Sequence, residues 1–304
     1  MKFLEDKKNQ RMLAWWGVAA LLVVLLTIRA MNPVPEPKSR TQTPAAQTAA
    51  EPTFSARDLN EGTLLSILWM ERSAEYRALC YQAYNVAVER VKWAVVNHRK
   101  GDNPLAIVLD CDATVMTDDQ FQACLLTAGV SHNPELWGEW VADEAAKAMP
   151  GAADFLQTVD SLGVDIFYVT NRASATQYPE LAEATMKNMT ALGFPQVSPE
   201  HMMFKGENGN KAARFAEAAA SHDVVLYLGD NINDLPLDLY GKNMAEREAT
   251  TDRNSDRFGM SFIMLPNPVY GSWEGALAEG YSKLSPAEKD KVRREALDVW
   301  KLKK

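Results

Sequence analysis

Short apolar runs at 105–109, 164–169, 224–228 and 262–265 recur along the chain, separated by stretches long enough to be helices. Runs of this length, apolar without alternation, suit strands buried on both faces. Helical candidates at 135–148, 152–162, 175–192 and 210–221 fall between them. Such alternation predicts an α/β fold: a doubly wound parallel sheet with crossover helices on both sides. The 304 residues, 47% of them hydrophobic, suffice to build it. Ahead of the first run, 57–98 reads as helical, with Tyr76, Cys80, Ala83, Ala87, Val91 and Ala94 three or four residues apart. The last helix opens on Ser285-Pro286-Ala287-Glu288, a capping box with proline at the first helical position.

The N-terminal part follows different rules. Residues 12–28 carry no charge, and 21–26 are wholly aliphatic. At the short end of what crosses a bilayer, about 17 to 25 residues, this predicts an N-terminal transmembrane helix. Trp15 and Trp16 lie where interfacial aromatics belong, and Lys2, Lys7, Lys8 and Arg11 precede the run. The positive-inside rule then exports everything that follows, to the periplasm or the cell exterior. Ile28-Arg29-Ala30-Met31 is a poor cleavage site, which favours a retained anchor or uncleaved signal over 1–31. Pro33, Pro35, Pro37, Pro44 and Pro52 mark 32–53 as a linker, leaving 54–304 as the globular domain.

The net charge of -8 and pI near 5.2 offer no basic field for a polynucleotide. Cys80, Cys111 and Cys124 form no CxxC pair or zinc spacing, and the expectation is three small buried apolar residues. A homo-oligomer stays open.

Ligands of parallel sheets bind beyond the carboxyl ends of the strands. The first run ends in Asp110-Cys111-Asp112, whose period-two alternation sends both carboxylates to one side. Adjacent carboxylates repel unless a cation or a proton intervenes, and both conditions suit phosphoryl transfer. The second run ends in Thr170-Asn171-Arg172, offering a hydroxyl and an amide to phosphoryl oxygens. The run at 224–228 leads to Asp230 and Asp234, and Lys211 follows Asn210 at a helix start.

The order DxDxT, TNR, Lys, GDNxxD resembles the haloacid dehalogenase superfamily. Residues 69–79, 167–172, 211–215 and 265–274 are similar to the class C acid phosphatases, and the likeness runs from about 58 to the C-terminus. The resemblance implies a Rossmann-like haloacid dehalogenase core with a small helical cap, drawn from 57–98 and 115–150. It implies a magnesium-dependent acid phosphatase acting on small phosphate monoesters, above all 5'-nucleotides, including nicotinamide mononucleotide. Asp110 would be the nucleophile and Asp112 the acid and base, aided by Thr170, Asn171 and Lys211, with Lys205 as the alternative lysine. Asp112 must carry a proton at the first step, which suits an acidic working pH. Mg2+ would be held by Asp110, Asp230 and the Asp112 main-chain carbonyl, with Asp234 behind a bound water. Trp137 and Tyr270 would form a nucleobase slot, with Arg172 also on the substrate. The chain departs from the pattern at Ala113, where glutamate is expected, and at Thr117-Asp118, where Asp-Asn is expected. It has no lipidation cysteine, so outer-membrane placement does not carry over. Competing readings are a non-catalytic membrane-tethered nucleotide or metal binding module, and a phosphotransferase.

Overall fold

The computed structural model describes residues 54–173 and 178–302. The expected anchor and linker lie outside them. Among the described residues no helix is long and apolar enough to cross a membrane.

Five parallel strands form one sheet: β1 Leu105–Leu109, β2 Asp165–Val169, β3 Met202–Met203, β4 Asp223–Gly229 and β5 Phe262–Met264, in the order β3-β2-β1-β4-β5. The chain winds outward from β1 through β2 to β3, then crosses back to β4 on the other side. The direction of winding therefore reverses at β1, and the crevice beyond its carboxyl end is where such sheets bind ligands.

Three helices, α1 Ala56–Glu61, α2 Leu64–Arg72 and α3 Ala74–Asn97, precede the sheet. Ser73 caps α3 by accepting from the Tyr76 N–H. Buried Tyr76, Cys80, Ala87 and Val91 of α3 join Ile107, Leu109, Ile166, Tyr168 and Leu228 in one core, together with Phe155 and Val159 of α6 (Ala152–Ser161). The other side of the pleat, Ala106, Val108, Phe167 and Val169, packs on Phe215 and Ala218 of α8 (Ala212–Ala219). Both faces are covered, so the runs in the sequence had no reason to alternate.

Between β1 and α6 lie α4 Asp119–Ala128 and α5 Pro134–Ala142. Helix α5 is shorter than the 135–148 stretch read from sequence, because the chain turns back at Asp143 and Ala148 bridges to Met116. Helix α5 packs on α7 (Pro179–Ala191), while α1 and α2 pack on α4. The remaining helices are α9 Met244–Arg253, α10 Ser272–Gly275 and α11 Pro286–Glu295, the last with the expected capping box. Two of the three cysteines, Cys80 and Cys111, are buried; Cys124 is exposed, correcting the expectation for all three. Buried Phe121, Leu125 and Leu126 form the packed side of α4.

Candidate active site

The alternation that puts Ala106 and Val108 against α8 continues to Asp110, and Lys211 stands at the start of that helix. The Lys211 ammonium meets Asp110 Oδ1 at 2.6 Å and Asp234 Oδ1 at 2.7 Å, with only 3% of the lysine side chain exposed. Lys211 rather than Lys205 therefore reaches the nucleophile candidate. The other oxygen of Asp234 receives the Asn231 N–H at 2.9 Å, closing a capping box on the short 3-10 turn Ile232–Asp234. This turn needs Gly229: a Cβ there would lie 2.2 Å from Asp234 Cβ. Asp230 is held by Thr114 Oγ1 at 3.1 Å and Asn267 Nδ2 at 2.9 Å, both neutral donors. To bring Thr114 round, Ala113 takes a left-handed conformation, φ 52°.

Asp110, Asp230 and Asp234 each place a carboxylate oxygen within 4.8 Å of the others, and the one ammonium among them bridges Asp110 and Asp234 only. Burial, then the neighbouring carboxylates against Lys211, pushes Asp110 up to about 7. Burial and then Asp234 and Asp110 raise Asp230 well above the usual carboxylate range. For Lys211, burial alone would favour the neutral amine, but Asp110 and Asp234 outweigh it and hold it charged. Three clustered carboxylates, hard oxygen donors with a single ammonium among them, are the composition that a small divalent cation would neutralise.

Asp112 has a separate partner. The Arg172 guanidinium grips it with Nη2 to Oδ1 at 2.7 Å and Nε to Oδ2 at 3.0 Å, while Nη1 reaches Thr185 at 3.2 Å. Arg172 is 2% exposed and lies 5.6 and 5.5 Å from the ring centres of Trp137 and Trp140. Asp112 is thus paired with the arginine three residues past the end of β2, while the cluster of carboxylates gathers at Asp110, Asp230 and Asp234. Arg172 lines the site, but most of its donors are already engaged within the protein.

Thr170 is fully buried. Its hydroxyl accepts from the Arg172 N–H at 3.1 Å, and it is absent from the cavity wall. Asn171 reaches the cavity, tied by its amide to the Gly209 carbonyl at 3.0 Å and receiving Arg214 at 2.8 Å. The same arginine donates to the Thr170 carbonyl at 2.6 Å and so fixes the β2 end. Trp137 and Tyr270 both line the cavity, and Trp137 is braced by Phe121 and Trp140 at 5.0 and 4.9 Å between centroids. All these walls enclose about 1040 Å³, room for a ligand of nucleotide size.

Several site residues stand outside the DxDxT, TNR and GDNxxD patterns: Asp118, Trp140, Arg214 and Asn267. Asn267 follows a strand end and was accessible to the same rule that picked out Asp230. Asp118 is buried, and burial followed by Asp112 pushes it up to about 7 against relief from Tyr270 and Gln122.

A doubly wound sheet whose switch point gathers a lysine-bridged carboxylate cluster and a second, arginine-held carboxylate defines an enzyme of phosphoryl transfer. A family model, the HAD superfamily, subfamily IIIB (acid phosphatase), matches residues 30–273, and the chain belongs to this family. It is a phosphoric monoester hydrolase. The class C acid phosphatase from Bacillus anthracis is 36% identical over 80% of this chain and 99% of its own, with a TM-score of 0.74. The crystal structure of that phosphatase with tungstate bound is similar at 35% identity, with the same coverage and a TM-score of 0.73.

Proposed function

We propose that the chain is a magnesium-dependent acid phosphatase of 5'-mononucleotides and related monoesters, working through an aspartyl-phosphate on Asp110. The observation that carries this reading is the division of the two strand-tip carboxylates: Asp110 lies against Lys211, Asp112 against Arg172. Two carboxyl groups in different environments can take different roles.

Asp110 attacks phosphorus in line, and the bond to the ester oxygen breaks as Asp112 gives that oxygen its proton. Water then attacks the aspartyl-phosphate, Asp112 takes its proton, and phosphate leaves with Asp110 restored. Lys211 and the Asn171 amide hold the phosphoryl oxygens, whose charge grows more diffuse in the transition state. Asp110, Asp230 and Asp234 with the Asp112 carbonyl would hold Mg2+, Asp234 directly or through water. The cation supplies charge neutralisation between nucleophile and phosphate. Thr170 acts from behind the wall, by fixing the backbone turn that presents Asn171 and Arg172. Trp137, braced on two sides, gives a base a rigid stacking surface, and Tyr270 stands beside it. Stacking tolerates any base.

The uncharged segment 12–28 with its flanking lysines supports a membrane tether with the catalytic domain in the periplasm or outside the cell. The test is phosphate release across pH, with and without Mg2+, beside Asp110→Asn. Activity that needs both the metal and Asp110 and ranks 5'-mononucleotides above simple esters supports the reading. Folded, metal-binding protein that releases no phosphate from any ester sinks it.

A further inference from the structure

Asp118 occupies the N-cap position of α4 yet accepts no hydrogen bond from the first-turn N–H groups of that helix. Aspartate at this position ordinarily accepts a first-turn N–H. Here the side chain lies in the cavity wall, 1% exposed. Gln122 donates to its Oδ2 at 3.0 Å, while Oδ1 has no hydrogen-bond partner among the described residues. The Tyr270 hydroxyl is near enough to influence the carboxyl but does not complete a well-formed bond to Oδ1. No lysine or arginine among the described residues forms an ion pair with it. A buried carboxyl oxygen left without a donor is costly, so this arrangement calls for a donor from elsewhere.

What that donor is follows from position and charge. Asp118 lies close enough to Asp112 and Tyr270 to feel both, whereas Lys211 bridges Asp110 and Asp234. A carboxyl that is ionised or protonated according to pH pairs best with a group that both donates and accepts. It matches a hydroxyl on the alcohol half of the ester. We propose that Asp118 is a specificity-determining residue, whose free Oδ1 accepts a hydrogen bond from a substrate hydroxyl close to the ester oxygen. The substrate class is then polyhydroxylated monoesters, such as sugar, glycerol and nucleoside phosphates. The proposal rests on the assignment of Asp112 to the leaving oxygen, because that assignment places the alcohol half beside Asp118.

The experiment compares glycerol 1-phosphate with propyl phosphate, which lacks the neighbouring hydroxyls, on the full-length chain, Asp118→Ala and Asp118→Asn. The quantity read is the ratio of kcat/KM between the two esters. The expected ratio is about tenfold or more in the wild-type chain, about unity in Asp118→Ala, and intermediate in Asp118→Asn, whose amide oxygen still accepts. A purely structural role would lower both esters together and leave the ratio where it was, and that outcome overturns the proposal. A wild-type ratio near one overturns it as well, without reference to how well any variant folds. Asp110→Asn is assayed alongside: turnover surviving there strikes at the nucleophile assignment, while the wild-type ratio separately tests Asp118.

Discussion

Replacing Arg172 by alanine separates the two strand-tip carboxylates experimentally. The change removes a forked grip at 2.7 and 3.0 Å on Asp112 from a guanidinium with 2% of its side chain exposed. Removing one partner of a fully buried pair costs about 3–5 kcal/mol. The Asp112 side chain keeps 16% exposure, so water relieves part of that loss, and about 2–3 kcal/mol of destabilisation remains. For a domain of this size that is a fall of about 5–10 °C in Tm. The kinetic effect is larger, because Asp112 must sit within reach of the leaving oxygen. Loss of a positioned general acid costs about 100-fold or more. A lysine restores a charge but cannot fork, so Arg172→Lys recovers only part. The decisive assay compares 4-nitrophenyl phosphate, whose leaving group departs with little protonation, with an alkyl phosphate, which needs the proton. If Arg172 positions Asp112, Arg172→Ala loses far more on the alkyl ester. Equal losses on both would refute this reasoning and assign Arg172 to the phosphoryl group or to the fold alone.

Gly229→Ala forces a Cβ to within 2.2 Å of Asp234 Cβ; the 3-10 turn must shift, and activity and divalent-cation affinity by calorimetry should fall together, while unchanged affinity would count against Asp234 as part of the metal cluster. The metal-free domain should lose stability as pH rises, since Asp110 and Asp118 stand at about 7 against an ordinary 3.8 and the folded state binds the extra protons. This contribution is complete below the ordinary carboxylate value and disappears as pH passes 7, so Tm in chelator should drop between pH 5 and 7.5, and a rise would reverse the argument. Trp137→Ala should lower kcat/KM for a 5'-mononucleotide relative to phenyl phosphate by about tenfold, the scale of one lost base stack; an unchanged ratio removes Trp137 from the base slot.

The strands and the chemistry at their tips were legible because two periodicities carry them. Both faces of the sheet are covered, so apolar runs showed the strands, and the rule of carboxyl ends then pointed to Asp110, Asp112, Asp230 and Asp234. Strand β3 was invisible, since two residues make no run, and α9 has no apolar stripe, its one buried side chain being Arg247. What sequence spacing cannot give is the partner of each charge. Asp110 and Asp112 are two residues apart and were read as mutually repelling. The fold places β2 beside β1 and starts α8 on the Ala106 and Val108 face. The β2 end therefore delivers Arg172 to one carboxylate and the α8 start delivers Lys211 to the other. Asp118 shows the converse limit: the sequence marks it only as a departure from the family pattern, and the three-dimensional arrangement reveals a helix N-cap whose usual bond to the first turn is not made. A carboxyl that forgoes the nearest donors for a cavity wall marks a contact that the substrate must complete, which is why the comparison of hydroxylated and plain esters tests the site more sharply than overall activity.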